Sequence, residues 1–90
     1  MQRYELSTQY DSRASFYGKA RVEVQGDTKT LVSYITEVAT IKDLGNGEYD
    51  VTVKGTYSNT TLRHIKEFLK QNGFKAENSK QIMADYGVQS

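Results

Sequence analysis

Apolar and polar positions alternate strictly through residues 16–25: Phe16, Gly18, Ala20, Val22 and Val24 share one side, Tyr17, Lys19, Arg21 and Glu23 the other. A period of two marks a strand with one buried face. Gly26-Asp27 follows. Glycine supplies the positive φ needed at the first central position of a type II′ turn, so a two-residue hairpin is predicted there. Residues 28–42 are rich in Thr, Val, Ile and Tyr, types suited to a pleated surface, and predict one long second strand reaching the polar loop 43–47. Alternation returns over residues 48–57, with Tyr49, Val51, Val53 and Tyr57 on one side. The period then changes. Leu62, Ile65, Phe68 and Leu69 recur at three- and four-residue spacing, which predicts an amphipathic helix with limits near 59 and 72. Ser58 or Thr60 can cap its start, and Gly73 stands where a left-handed stop residue is expected. Ser79 is placed to cap a short terminal helix bearing Ile82, Met83 and Tyr86 and ended by Gly87, while residues 3–10 offer an edge strand.

These elements predict an α+β fold: a three- to four-stranded antiparallel β-meander, one long amphipathic helix packed on one face, and a short C-terminal helix. The first turn sets the register, pairing Gln25 with Thr28, Val22 with Leu31, Ala20 with Ser33 and Gly18 with Ile35. Odd positions of the second strand then face the core. Pairing Ile41 with Tyr49 in the second hairpin would set Ala39 against Val51 and Glu37 against Val53. Glu37 is therefore expected inside, where it needs a partner unless the strand bulges there.

Ninety residues support one hydrophobic core and exclude a two-domain enzyme. The whole chain is expected to be a single domain with its ordered core over about residues 3–87. Seven tyrosines and three phenylalanines give it the anchors that disordered chains lack. Without cysteine there is no disulfide, thiolate nucleophile or thiolate metal site, and a single histidine makes no zinc cluster, so neither metal nor cofactor is expected. No apolar stretch is long enough to span a bilayer, and the first ten residues lack the apolar centre of a signal peptide. A cytoplasmic protein without membrane partners is the expectation. The net charge of +1 fits neither a DNA packager nor an acidic DNA mimic, although residues 1–50 carry −2 and residues 51–90 carry +3.

Candidate chemistry is sparse. Any Ser or Thr nucleophile would depend on His64, the only available imidazole base, and its place beside Arg63 near a helix start predicts a solvated or boundary histidine. No enzymatic activity is expected. Asp43, Asn46, Glu48 and Asp50 surround a hairpin loop without the spacing of a calcium loop. Two surfaces remain. The helix start offers free N–H groups at the positive end of its dipole, surrounded by Ser58, Asn59, Thr60 and Thr61 with Arg63 and His64 a turn away, as a contact for an anionic group. The sheet face away from the helix is expected to gather Tyr17, Lys19, Arg21, Val32, Tyr34, Thr36, Val38, Thr52, Lys54 and Thr56. This mixture of aromatic, aliphatic and basic side chains suits a protein interface, and also base stacking beside phosphate contacts.

Two stretches are more specific. SYITEVATI (33–41) and GTYSNTTLRHIKEFLKQNGF (55–74) resemble a family of small proteins encoded by phages and mobile elements of Gram-positive bacteria. The resemblance covers about half the chain and carries Tyr57, Ser58, Thr60, Thr61, Arg63, His64, Ile65, Glu67, Phe68, Leu69, Gln71, Asn72, Gly73 and Phe74, with Leu62 at a variable position. It implies viral origin, an accessory role and a place in the host cytoplasm. The function expected is inhibition of a host defence factor, such as a CRISPR nuclease, by binding a host protein or nucleoprotein complex. The alternative is a small DNA-binding module using its sheet face, with Lys19, Arg21 and Lys54 on phosphates. Exposed strand edges also leave room for a homodimer.

Overall fold

In the computed structural model, residues 2–6, 19–55 and 59–87 are described. Five strands, β1 (Gln2–Glu5), β2 (Ala20–Gln25), β3 (Thr28–Ser33), β4 (Thr36–Gly45) and β5 (Glu48–Val53), precede α1 (Asn59–Gln71) and α2 (Ser79–Tyr86). The sheet runs β1-β2-β3-β4-β5 with every neighbouring pair antiparallel. The fold is α+β, with five strands where three to four were expected. The edge strand expected over residues 3–10 is found as β1 at Gln2–Glu5, with Tyr4 paired to Val22, and residues 7–10 lie outside the described residues.

Gly26-Asp27 sets the first hairpin as its chemistry requires. Gly26 has a φ of 61°, and Gln25 pairs with Thr28, Val22 with Leu31 and Ala20 with Ser33. Of the expected Gly18–Ile35 pair, Gly18 lies outside the described residues and Ile35 sits in a turn, because residues 28–42 are two strands rather than one. Ser33 pairs with Thr36 across a turn formed by Tyr34 and Ile35, and Tyr34 takes a φ of 60°. Nothing in Ser-Tyr-Ile-Thr carries a turn signature, so a run of strand-forming side chains hides the reversal.

β4 then bulges where the carboxylate would have pointed inward. Leu31 pairs with Ala39 and Val32 with Glu37, which leaves Val38 as the extra residue. Val38 and Ala39 are both buried while Glu37 faces solvent. One inserted residue thus removes a charge from the core. The last hairpin closes through Asn46-Gly47, both at positive φ, with a second irregularity between Asp43 and Gly45. Ile41 consequently pairs with Val51 and Ala39 with Val53, two residues away from the expected register and on the same face.

The core lies between the sheet and the helices. Val22, Leu31, Val38, Ala39, Ile41 and Val53 meet Ile65, Phe68 and Leu69 of α1 and Ile82 of α2. Burying each large apolar side chain contributes roughly 1.5–3 kcal/mol, before chain entropy is set against it. α1 ends on Gly73, at a φ of 86°, with Gly73 N–H donating to Lys70 O and Phe74 N–H to Leu69 O at 3.1 and 2.9 Å. That pair of bonds is the Schellman stop its glycine predicts. α2 is capped by Asn78 rather than Ser79, the Asn78 side chain accepting from Gln81 N–H at 2.8 Å. No helix among the described residues is long and apolar enough to cross a membrane.

Candidate functional site

The β3–β4 turn, the start of β2, the end of β5 and the first turns of α1 all meet at one end of the sheet. Tyr34 N–H donates to Lys19 O at 2.6 Å, tying the turn to the residue that precedes β2. Arg21 Nη1 reaches Tyr34 O at 3.5 Å, and its Nε donates to Glu23 Oε2 at 3.2 Å. Lys54 N–H donates to Val38 O at 2.9 Å, which brings Lys54 to the same end, and its ammonium lies 3.8 Å from Glu37.

Behind this rim sits a buried polar chain. Ser33, inward on the last rung of β3, has its Oγ 2.8 Å from His64 Nδ1 and 3.0 Å from Thr61 Oγ1. All three side chains are excluded from solvent. The α1 periodicity explains the meeting, since positions 61 and 64 lie one turn apart on the face that packs against the sheet. Burial, then the charges of Arg63 and Lys19, pushes the His64 pKa down to about 4. The imidazole is therefore neutral at physiological pH and serves as a hydrogen-bonding core group. A hydroxyl beside an imidazole has the reach of a nucleophile and base, and here both are buried.

Two expectations change in consequence. His64 is neither solvated nor at a boundary, and Thr61 is consumed by Ser33, so neither presents itself to an anion at the helix start. Arg63, half-buried, is the residue of that trio at the surface. The sheet face is also revised. Val38 turns through the bulge into the core beside the helices, and Val32 is buried at 3% exposure, so neither valine adds apolar surface to that face. Lys19, Arg21, Tyr34 and Lys54 do gather, at the end of the sheet rather than across it, whereas Tyr17 and Thr56 lie outside the described residues. Ile35, expected in the core, is the most exposed large apolar side chain among the described residues at 94%, beside Tyr34 at 47%. The tyrosine ring stands 6.0 Å from the His64 ring, so the buried chain supports the turn from beneath. The site is thus an aromatic and an aliphatic side chain on a strained two-residue turn, with Lys19, Arg21 and Arg63 around it.

Sequence reasoning missed Ile35 for want of a turn signal. Ser33 was legible as an inward position, but its partners were not, because they lie 28 and 31 residues further along the chain.

The model of a family of unknown function (DUF8033) matches residues 4–85. The chain belongs to that family. No curated protein and no solved structure matches it.

Proposed function

We propose that this member of the DUF8033 family is a non-enzymatic binding protein that docks the Tyr34-Ile35 turn into an apolar pocket with an acidic rim on a partner protein. The observation that carries this reading is Ile35, a β-branched side chain left 94% exposed at the tip of a turn. Its neighbour Tyr34 adopts a φ of 60°, a conformation that disfavours tyrosine. Strain and exposure at adjacent residues oppose folding stability, and such pairs concentrate where a chain makes contacts. An aromatic and an aliphatic anchor inside a collar of cations is the composition of an interface centre, and the collar selects a negatively charged surround. The narrower reading is that the protein is phage-encoded and inhibits a host defence factor such as a CRISPR nuclease. It is supported by the resemblance of residues 33–41 and 55–74 to phage and mobile-element proteins.

The test compares tagged wild type with Ile35→Asp and with Lys19→Glu in capture from host lysate. A stoichiometric partner recovered by the wild type and lost by both variants is expected. Equal recovery by all three would overturn the turn as the docking element. Direct nucleic-acid binding is a separate outcome: a mobility shift at micromolar protein that weakens steeply between 50 and 200 mM salt would place phosphates, not a protein pocket, against Lys19, Arg21 and Arg63.

A further inference from the structure

At the opposite end of the sheet, the β2–β3 turn, the paired ends of β4 and β5 and the segment that follows α1 enclose a cleft of about 220 Å³. Its floor is the core-facing rung formed by Val24, Lys29 and Ile41, which are consecutive cross-strand partners on β2, β3 and β4. A lysine there breaks the apolar pattern of the face. Its stem lies half-buried along the floor, and its ammonium donates to Asn72 Oδ1 at 2.8 Å. Asn72 is held in turn by donating Nδ2–H to Phe68 O at 2.7 Å. The Lys29 charge therefore rests on a fixed neutral amide.

Two carboxylate residues line the cleft, Asp27 from the β2–β3 turn and Asp43 from the end of β4. Asp43 N–H donates to Asp27 O at 2.9 Å, which sets the two aspartates side by side. Each is oriented locally: Asp27 Oδ1 accepts from Thr28 Oγ1 at 3.2 Å, and Asp43 Oδ1 from Gly45 N–H at 2.9 Å. The ion pairs among the described residues join neither aspartate to Lys29. On the β5 side of the cleft, Tyr49 and Phe74 meet edge to face at 5.6 Å and 82° and form an aromatic wall.

We propose that this cleft binds a small zwitterion with an apolar body, the class to which α-amino acids with aromatic or branched side chains belong. Separated charges of both signs over an apolar floor fit a ligand that carries both. Its carboxylate takes N–H donors of Lys29, its ammonium sits between Asp27 and Asp43, and its side chain lies on Ile41 against Tyr49 and Phe74. A simple anion would meet the two aspartates, and a simple cation would face Lys29. Size agrees, since pockets for drug-sized ligands run to roughly 300–1,000 Å³ and this one is smaller.

The full-length chain, isotope-labelled, is titrated with L-phenylalanine, with phenethylamine, which lacks the carboxylate, and with 3-phenylpropionate, which lacks the ammonium. Amide shifts confined to residues 24–29, 41–49 and 72–74 are expected, with both analogues weaker by roughly tenfold or more, since each loses a charge-assisted hydrogen bond. Lys29→Met should bind L-phenylalanine no better than wild type binds phenethylamine. Asp27→Asn, at an exposed turn position that keeps the fold, should narrow the gap between L-phenylalanine and 3-phenylpropionate. No localised shift at millimolar L-phenylalanine or L-leucine, or equal binding of all three probes, would overturn the proposal.

Discussion

Tyr34 occupies a φ of 60° that glycine adopts freely and that strains an L-residue by roughly 1–2 kcal/mol. Tyr34→Gly relieves that strain while losing the ring contact with His64 and adding freedom to the unfolded chain. We expect a net gain of about 0.5 kcal/mol in stability, read as a higher urea midpoint at unchanged slope, together with weaker partner capture. Stability gained where binding is lost is the mark of a residue kept for contact. His64 works the other way, as a group whose chemistry serves the fold. An exposed imidazole titrates near 6.5, whereas burial holds this one at about 4. The unfolded chain thus binds the proton first as the pH falls, so the contribution of neutral His64 is complete above about pH 6.5 and lost progressively towards pH 4. Between pH 7 and pH 5, where most carboxylates stay ionised, the loss should reach about 2 kcal/mol. Urea unfolding at the two pH values measures it, and His64→Asn, though less stable at pH 7, should flatten the dependence.

At the scale of elements, alternation and turn chemistry located β2, the first hairpin and the face of α1, because each rests on contacts within a few residues along the chain. The Schellman end of α1 was legible for the same reason: Gly73 alone specifies it. β3 and β4 were not separable from their residues, since Tyr34-Ile35 has the composition of a strand and reverses only because flanking strands pair across it. The bulge at Val38 shows how an apparent conflict marks a real irregularity. A regular ladder would have placed the Glu37 carboxylate in the core, and an inserted residue turns it to solvent, where it pairs loosely with Lys54 at 3.8 Å. Such an exposed pair contributes little. Glu37→Ala should therefore change stability by less than about 0.5 kcal/mol in chemical denaturation, whereas removal of one partner from a buried pair would destabilise by several-fold more.

Over the whole molecule, the core divides two surfaces of different character. The Tyr34-Ile35 turn with its cations lies at one end of the sheet, and the cleft around Lys29 at the other, because β3 runs from Thr28 beside the cleft to Ser33 beside the turn. Sites so separated with no shared side chain should act independently. Ile35→Asp is expected to leave the L-phenylalanine titration unchanged, and Lys29→Met to leave partner capture unchanged. A change above about threefold in either crossed measurement would reveal coupling through the sheet. The amino-acid sequence by itself determined the α+β class, the inward positions of β2 and β3, the first register and the limits of α1, since periodicity and glycine conformation are properties of neighbouring residues. Tertiary structure alone decided that His64, Thr61 and Ser33 join inside the core, that Ile35 stands in solvent, and that Lys29 faces two aspartates across a cleft. Those outcomes depend on which distant segments pack together, and short-range pattern does not encode that.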